Sequence, residues 1–183
     1  IVLVGGGPGT GKTSVASTIG DHFGWPVVSS DEIRKDRARV DPGEHRVAQP
    51  DQGLYTPDLT AQTYDELIDQ TRALVAGGHC AVLDASWTDA SHRERVRRLA
   101  DELSTDLVEI ECAVDKSVAR ERVARRLADG WNPSDATPEI VDHLAGQRDP
   151  WPAATTVDTS APPEKTAASV LALLSGGPAS TLR

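Results

Sequence analysis

Apolar and polar positions follow two different periods along this chain, and the two periods alternate. Short apolar runs rich in β-branched residues are typical of buried strands, and apolar residues that return every three or four positions are typical of helices. Strands are predicted at residues 1–4, 25–30, 80–83, 107–114 and 155–157, and helices at 14–23, 31–40, 59–75, 91–103, 115–128 and 163–174, with another helical start at 137–139. This order predicts an α/β three-layer sandwich with a mostly parallel five-stranded sheet, which binds ligands at the carboxyl ends of its strands.

Length and composition fit one globular domain. The chain has 183 residues, 38% of them hydrophobic and 26% charged, and we expect a domain over residues 1–176 with a frayed tail at 177–183. No apolar run approaches the ~20 residues of a membrane span and no signal peptide precedes the first strand, so a cytoplasmic protein without a membrane partner is expected. The sequence contains no methionine and opens on a strand, which leaves two explanations, trimmed terminal residues or one domain of a longer protein. The two cysteines lie in or beside apolar runs and are expected to be small buried hydrophobes.

Residues 6–13, GGPGTGKT, follow the first predicted strand and match the phosphate-binding pattern G-x-x-x-x-G-K-[ST]. Glycines allow successive N–H groups to turn around phosphate oxygens, and the following helix presents its positive end to the anion. Lys12 is expected to reach the β- and γ-phosphates, and the Thr13 hydroxyl to bind Mg²⁺. The predicted nucleotide-binding residues are Gly6, Gly7, Pro8, Gly9, Thr10, Gly11, Lys12, Thr13 and Ser14.

Two carboxylates end predicted strands. Asp31 follows the second strand and lies three residues before Arg34, on the same helical face. A carboxylate there can accept the proton of an attacking hydroxyl while the guanidinium holds the acceptor; alternatively, Asp31 is only a helix cap and Arg34 a surface residue. Asp84 ends the third strand, where it can order Mg²⁺ and contact substrate, although an Asp in this position is also a common turn former.

The acceptor is expected to lie near two aromatic residues. Trp87 follows Asp84 closely, and Tyr55 belongs to the long irregular segment 41–57, which is placed to cover a substrate.

A cluster of arginines precedes a glycine break. Arg122 and Arg126 are four residues apart on one helical face just before Gly130, whereas Arg120 and Arg125 are expected to lie elsewhere on that helix. Arginines in this position can clamp phosphates when a lid closes. A solvated helix with ion pairs is the alternative. Trp131 and Trp151 lie in loops that are able to cover a base.

Together these motifs resemble the P-loop kinase group, which includes zeta toxins, gluconate kinases, chloramphenicol phosphotransferases and polynucleotide 5′-hydroxyl kinases. Residues 30–35 and 83–86 are most similar to actinobacterial kinase-like domains that are often fused behind an aminoglycoside-phosphotransferase-like domain. The resemblance covers residues 1–159 and implies a P-loop NTPase fold with a helical lid. It also implies that Asp31 is the catalytic carboxylate, Arg34 the acceptor-binding arginine, and Arg122 or Arg126 the lid arginine.

The expected activity is that of an ATP- and Mg²⁺-dependent kinase that transfers the γ-phosphoryl group to a hydroxyl of a small molecule, such as a sugar, a sugar acid or an antibiotic. A regulatory ATPase module of a larger protein and a polynucleotide 5′-hydroxyl kinase are the alternatives. The formal net charge of −9 argues against nucleic acid as a partner, because that affinity comes mainly from cations that neutralise phosphates.

Overall fold

Five strands and six helices alternate in the computed structural model, which describes residues 1–38, 56–128, 141 and 148–176. The strands β1–β5 are Val2–Gly5, Val27–Ser29, Val82–Asp84, Val108–Ala113 and Thr155–Asp158. The helices α1–α6 are Lys12–Phe23, Ser30–Ala38, Pro57–Ala76, Ala90–Glu102, Lys116–Ala128 and Pro163–Gly176. The predicted helical start at 137–139 and the tail at 177–183 lie outside the described residues.

The sheet is parallel at every pairing, in the order β2-β3-β1-β4-β5. The chain runs from β1 outward to β2, returns to β3, and then crosses to β4 on the other side of β1. The strand order therefore reverses around β1, and the crevice beyond the carboxyl end of β1 is the place where open α/β sheets bind ligands. The predicted sandwich architecture is confirmed.

Helices cover both faces of the sheet, and the strand β1 is buried on both sides by them. Ile1 and Leu3 join a core with residues of α2, α3 and α4, while Val2 and Val4 join a second core with residues of α1 and α6. Successive side chains of a strand point to opposite faces, so an unbroken apolar strand such as β1 needs a helical layer on each side.

The helix α4 is capped by Asp89, whose carboxylate accepts the backbone N–H of Ser91 at 2.7 Å. One expectation about the cysteines needs correction. Cys112 is buried as expected, and burial raises the pKa of its thiol to about 12, but Cys80 is only half-buried.

None of the helices in the described ranges combines the length and the apolar character that crossing a membrane requires.

Candidate active site

The loop between β1 and α1 has the backbone of an anion-binding cradle. Gly6, Gly9 and Gly11 have φ angles of 150°, 78° and 84°, which favour glycine. At Gly9 a larger residue is also excluded by lack of space, because a Cβ there would clash with the backbone of Ala119 in α5. The loop thus lies directly against the first turn of α5, with α1 beginning at Lys12.

Two side chains hold this loop from β5 and α5. The Thr159 hydroxyl, just beyond β5, donates to the carbonyl oxygen of Thr10 at 2.6 Å. Arg122 donates to the carbonyl oxygens of Gly9 at 3.4 Å and of Thr159 at 2.7 Å. Thr159 and Arg122 therefore fix the loop through its carbonyl oxygens and use none of its N–H groups.

Lys12, Thr13 and Asp84 come together at the carboxyl end of the sheet. Asp84 is 3% exposed. Burial raises the pKa of its carboxyl, while the nearby Lys12 cation and a hydrogen bond with the Thr13 side chain act in the opposite direction. The negative charge of Asp31 also raises this pKa, so Lys12, Thr13 and Asp31 all lie near enough to act on Asp84.

The donors around Asp84 fit a magnesium ion. The Asp84 Oδ1 atom is buried and has no hydrogen-bond partner within the described part of the chain, and the Thr13 hydroxyl lies beside the same carboxylate. No group of three or more His, Cys, Asp and Glu residues able to hold a metal occurs among the described residues. Magnesium is commonly held by one or two protein oxygens together with substrate phosphates and water, and these two side chains fit that pattern.

Asp31 and Arg34 form an ion pair of 3.0 Å in the first turns of α2, with 26% and 9% of their side chains exposed. The predicted shared face of the helix is therefore observed. Asp31 is the more accessible partner, and its charge acts on the carboxyl of Asp84. A purely capping role would not explain why an arginine is buried against the same carboxylate.

The hydroxyl groups of Tyr64 and Ser86 lie next to each other near the carboxyl end of β3. Tyr64 is fully buried, its hydroxyl lies 3.4 Å from the Ser86 hydroxyl, and it receives the backbone N–H of Trp87 at 3.3 Å. Burial raises the pKa of Tyr64, which keeps it a neutral phenol. Ser86 is half-exposed and is therefore the accessible residue of the two.

A cavity of about 440 Å³ opens between α1, α5 and the segment from β5 to α6. Its walls include the P-loop residues Gly11 and Ser14, and its size lies within the range of small-molecule sites. The remaining lining residues are Val15, Thr18, Arg122, Arg125, Arg126, Thr159, Ser160, Ala161, Pro162, Pro163, Thr166, Ala167 and Val170.

Three arginines line that cavity. Arg122 and Arg126 were expected on this face, and Arg125 was not, although its spacing of three residues from Arg122 is itself a signal for a shared face. Burial and the neighbouring cations of Arg122 and Arg125 lower the pKa of Arg126. A guanidinium stays protonated under these conditions, so the cavity favours an anionic ligand.

Trp87 and Trp151 do not line an open site. Trp87 is fully buried, with its indole directed back toward the carbonyl oxygen of Leu83, so its expected contact with substrate is wrong. Trp151 is 6% exposed, packs against Gly5 and donates to Glu109, so it does not cover a base. Tyr55 and Trp131 lie outside the described residues.

Arg148 was missed by the sequence analysis. It forms an ion pair of 3.0 Å with Glu111 at the end of β4 and donates to the carbonyl oxygen of Ser86. That same carbonyl accepts the N–H of Gly6 at 3.4 Å. Arg148 follows no recognisable motif, and only the fold brings it to the start of the P-loop.

Solved structures with known activities share this fold. A gluconokinase from Sinorhizobium meliloti is 18% identical with a TM-score of 0.64, covering 96% of this chain and 93% of its own. A sugar kinase from Janibacter sp. is 16% identical with a TM-score of 0.69, covering 97% and 95%. The APS kinase CysC of Mycobacterium tuberculosis, in complex with AMPPNP and APS, is 20% identical with a TM-score of 0.63, covering 94% and 96%. The chain therefore has the fold of P-loop kinases.

Sequence relatives extend beyond this chain. Rv2004c of Mycobacterium tuberculosis and Mb2027c of Mycobacterium bovis are each 36% identical over 168 residues, which is 90% of this chain and 32% of theirs. The chain thus spans about a third of the length of these curated relatives. The family model described as an AAA domain, AAA_33, matches residues 1–151. The chain belongs to the AAA_33 family.

Proposed function

We propose that this chain is an ATP- and Mg²⁺-dependent kinase that transfers the γ-phosphoryl group to a hydroxyl of a small molecule. The observation that carries this proposal is the meeting of Lys12, Thr13, Asp84 and Asp31 at one end of the sheet. These residues combine a phosphate-binding cation, a pair of oxygen ligands and a second, accessible carboxylate. A protein that only bound nucleotide would not need the last of these.

The nucleotide is held in two parts. The N–H groups of Gly9, Gly11 and the first turn of α1 and the Lys12 ammonium bind the phosphates, and the cavity beside Gly11 and Ser14 takes the nucleoside. Arg122 already contacts the loop at Gly9, which favours it as the arginine that offsets charge on the transferred group. Arg126 lies one helical turn farther from Gly9 and contributes to the wall of the nucleoside cavity.

Magnesium would be held by the Thr13 hydroxyl and, directly or through water, by the Asp84 carboxylate. When bound, such an ion neutralises the charge on the β- and γ-phosphate oxygens.

Asp31 acts on the acceptor. Its carboxylate takes the proton of the acceptor hydroxyl while that oxygen forms a bond to the γ-phosphorus, and the bond from the γ-phosphorus to the bridging oxygen of ADP breaks. Arg34 holds Asp31 in place through an ion pair of 3.0 Å, and we propose that its guanidinium also contacts the acceptor.

The acceptor class we propose is a polyhydroxylated small molecule: a sugar, a sugar acid or an antibiotic. The half-exposed Ser86 hydroxyl, backed by Tyr64, supports this class because hydroxyls bind hydroxyls in either direction. Fold similarity to a gluconokinase and a sugar kinase points the same way.

The test is a phosphotransfer screen with ATP and Mg²⁺ across sugars, sugar acids, aminoglycosides, nucleosides and oligonucleotides. The proposal expects ADP release that depends on one of the small polyols. Phosphorylation of oligonucleotides alone would support a polynucleotide kinase instead.

A regulatory ATPase module is the second candidate, and the length of the relatives favours it, since this chain matches 32% of each. We propose that residues 1–176 form a cytoplasmic P-loop domain of a longer protein, with a fused N-terminal domain of the aminoglycoside-phosphotransferase-like type. Slow ADP release that no acceptor accelerates in the screen would favour the regulatory function over the kinase.

A further inference from the structure

The hydroxyl of Thr166 is a buried polar group without a partner. Thr166 lies in the first turn of α6, lines the 440 Å³ cavity and is 8% exposed. Its Oγ1 makes no hydrogen bond to any described residue. Buried hydroxyls are normally hydrogen-bonded, so this one calls for an explanation.

Other helical hydroxyls of the protein show what is missing. Those of Thr18, Thr63, Thr71 and Ser169 each donate to the carbonyl oxygen four residues earlier, at 2.7–3.1 Å. For Thr166 that carbonyl belongs to Pro162, which receives the backbone N–H of Thr166 at 3.2 Å but not its hydroxyl. The hydroxyl of Thr166 is therefore left for a partner other than its own helix.

The cavity around Thr166 suits a flat ring joined to an anionic group. Val15, Pro162 and Val170 provide apolar walls, while the side near the P-loop carries Arg122. None of the described residues that line the cavity is acidic. A nucleobase has apolar faces, which fit these walls, and a polar edge. Small-molecule sites of this kind bind such an edge with a small number of polar groups.

We propose that the Thr166 hydroxyl binds the polar edge of the nucleobase, an inference that rests on the proposed binding of ATP at this site. A threonine in a helix has two accessible χ1 rotamers, and its hydroxyl either donates to a ring nitrogen or accepts from an exocyclic amino group. Thr166 is thus a positioning and specificity residue for the nucleoside, remote from the phosphate chemistry at Lys12.

The experiment compares the binding of ATP with that of inorganic tripolyphosphate, which carries the phosphates without a base. Titration calorimetry with Mg²⁺ is applied to the wild type, Thr166→Val, Thr166→Ser and Ser169→Ala. Ser169→Ala is the matched control, because Ser169 is exposed on the same helix and its hydroxyl bonds within it. Melting temperatures are measured without ligand.

We expect Thr166→Val to bind ATP about 3- to 10-fold more weakly, the loss of one neutral hydrogen bond, with unchanged binding of tripolyphosphate. Thr166→Ser and Ser169→Ala should bind ATP as the wild type does. The melting temperature of ligand-free Thr166→Val should equal or exceed that of the wild type, because a buried hydroxyl without a partner is replaced by a methyl group.

Unchanged ATP affinity in Thr166→Val would overturn this inference, as would equal losses for ATP and tripolyphosphate or a lowered melting temperature. A wild type that binds ATP no more tightly than tripolyphosphate would overturn the inference and leave the phosphate site intact. A wild type that binds neither would overturn the proposed function as well.

Discussion

Lys12 and Asp84 differ in exposure at the end of the sheet where the proposed site lies. Lys12 is half-buried at the start of α1, and its charge acts on the carboxyl of Asp84. Asp84 is buried at the end of β3. In the proposed kinase, the Lys12 ammonium would bind a phosphate oxygen while Asp84 stays fixed in the core.

Replacing Lys12 tests this division. We expect Lys12→Ala to lower kcat/KM for ATP by roughly 10²–10³-fold, a loss comparable to removing one electrostatic donor from an active site. The melting temperature should stay close to that of the wild type, because no core residue is touched. Lys165→Ala, which removes an exposed lysine from α6, is the control. If Lys12→Ala retained full ATP affinity and turnover, the phosphate-binding assignment would be wrong.

At the scale of elements, the contact between the P-loop and α5 fixes the loop conformation. Gly9 combines a φ of 78° with close approach to Ala119, whereas a Cβ at Gly7 would meet only a methyl group of Thr10, at 3.8 Å. Glycine is therefore required at position 9 of the loop, whereas position 7 has room for a Cβ.

We expect Gly9→Ala to destabilise the ligand-free protein by at least about 1–2 kcal/mol, since its backbone lies in the left-handed region, and the clash with α5 adds to this. Gly7→Ala should leave the free energy of unfolding nearly unchanged. Denaturant unfolding of both variants makes the comparison, and equal stabilities would contradict the observed packing of the loop.

Glu109 joins β4 to two other elements. Its carboxylate accepts two hydrogen bonds from Arg97 of α4, at 2.8 and 2.7 Å, and one from the indole of Trp151. Burial by itself would raise the pKa of Glu109, but the hydrogen bonds from Arg97 and Trp151 outweigh it and hold that pKa below its usual range.

A lowered pKa in the folded state stabilises the protein above the usual glutamate pKa, and the stabilisation is lost as pH falls through the folded-state value. We therefore expect Glu109→Gln to be less stable than the wild type by about 1–3 kcal/mol at pH 7, with a smaller difference in acid. Glu102→Gln removes an exposed pair with Arg72 and should cost about 0–1 kcal/mol. Unfolding by urea at several pH values measures both variants, and a difference for Glu109→Gln that does not depend on pH would refute this explanation.

Local signals were sufficient for most elements and for the P-loop. The unbroken apolar run of β1 and the glycines that follow it depend on neighbouring residues only, so the sequence predicts both. The ion pair of Asp31 with Arg34 is also local, at three residues on one helix.

Contacts between distant residues were not predictable in this way. Arg148 meets Ser86 across 62 residues, and Thr159 reaches Thr10 across 149. The expectation for Trp87 was wrong because it rested on closeness to Asp84 in the sequence alone. The Trp87 backbone has a φ of 52°, and its indole is buried in the core.

At the scale of the whole molecule, the residues of the proposed site lie at the carboxyl ends of three adjacent strands. Asp31 follows β2, Asp84 is the last residue of β3, and the P-loop follows β1. The cavity that we propose for the nucleoside lies on the other side of the P-loop, beside β5. The acceptor and the nucleotide would therefore approach the P-loop from opposite directions, as transfer between them requires.

The substitution Asp31→Asn tests this account most directly. Asparagine is nearly isosteric and can still cap a helix, but its amide cannot take a proton from the acceptor. With an acceptor from the screen, we expect acceptor-dependent ADP release to fall by roughly 10²–10⁴-fold, with ATP affinity unchanged and a lowered melting temperature, because the buried Arg34 loses its anionic partner. Asp36→Asn, an exposed position on the same helix, should retain full activity. Near-normal turnover in Asp31→Asn would contradict the kinase mechanism, and a parallel loss of ATP affinity would instead place Asp31 in the metal site.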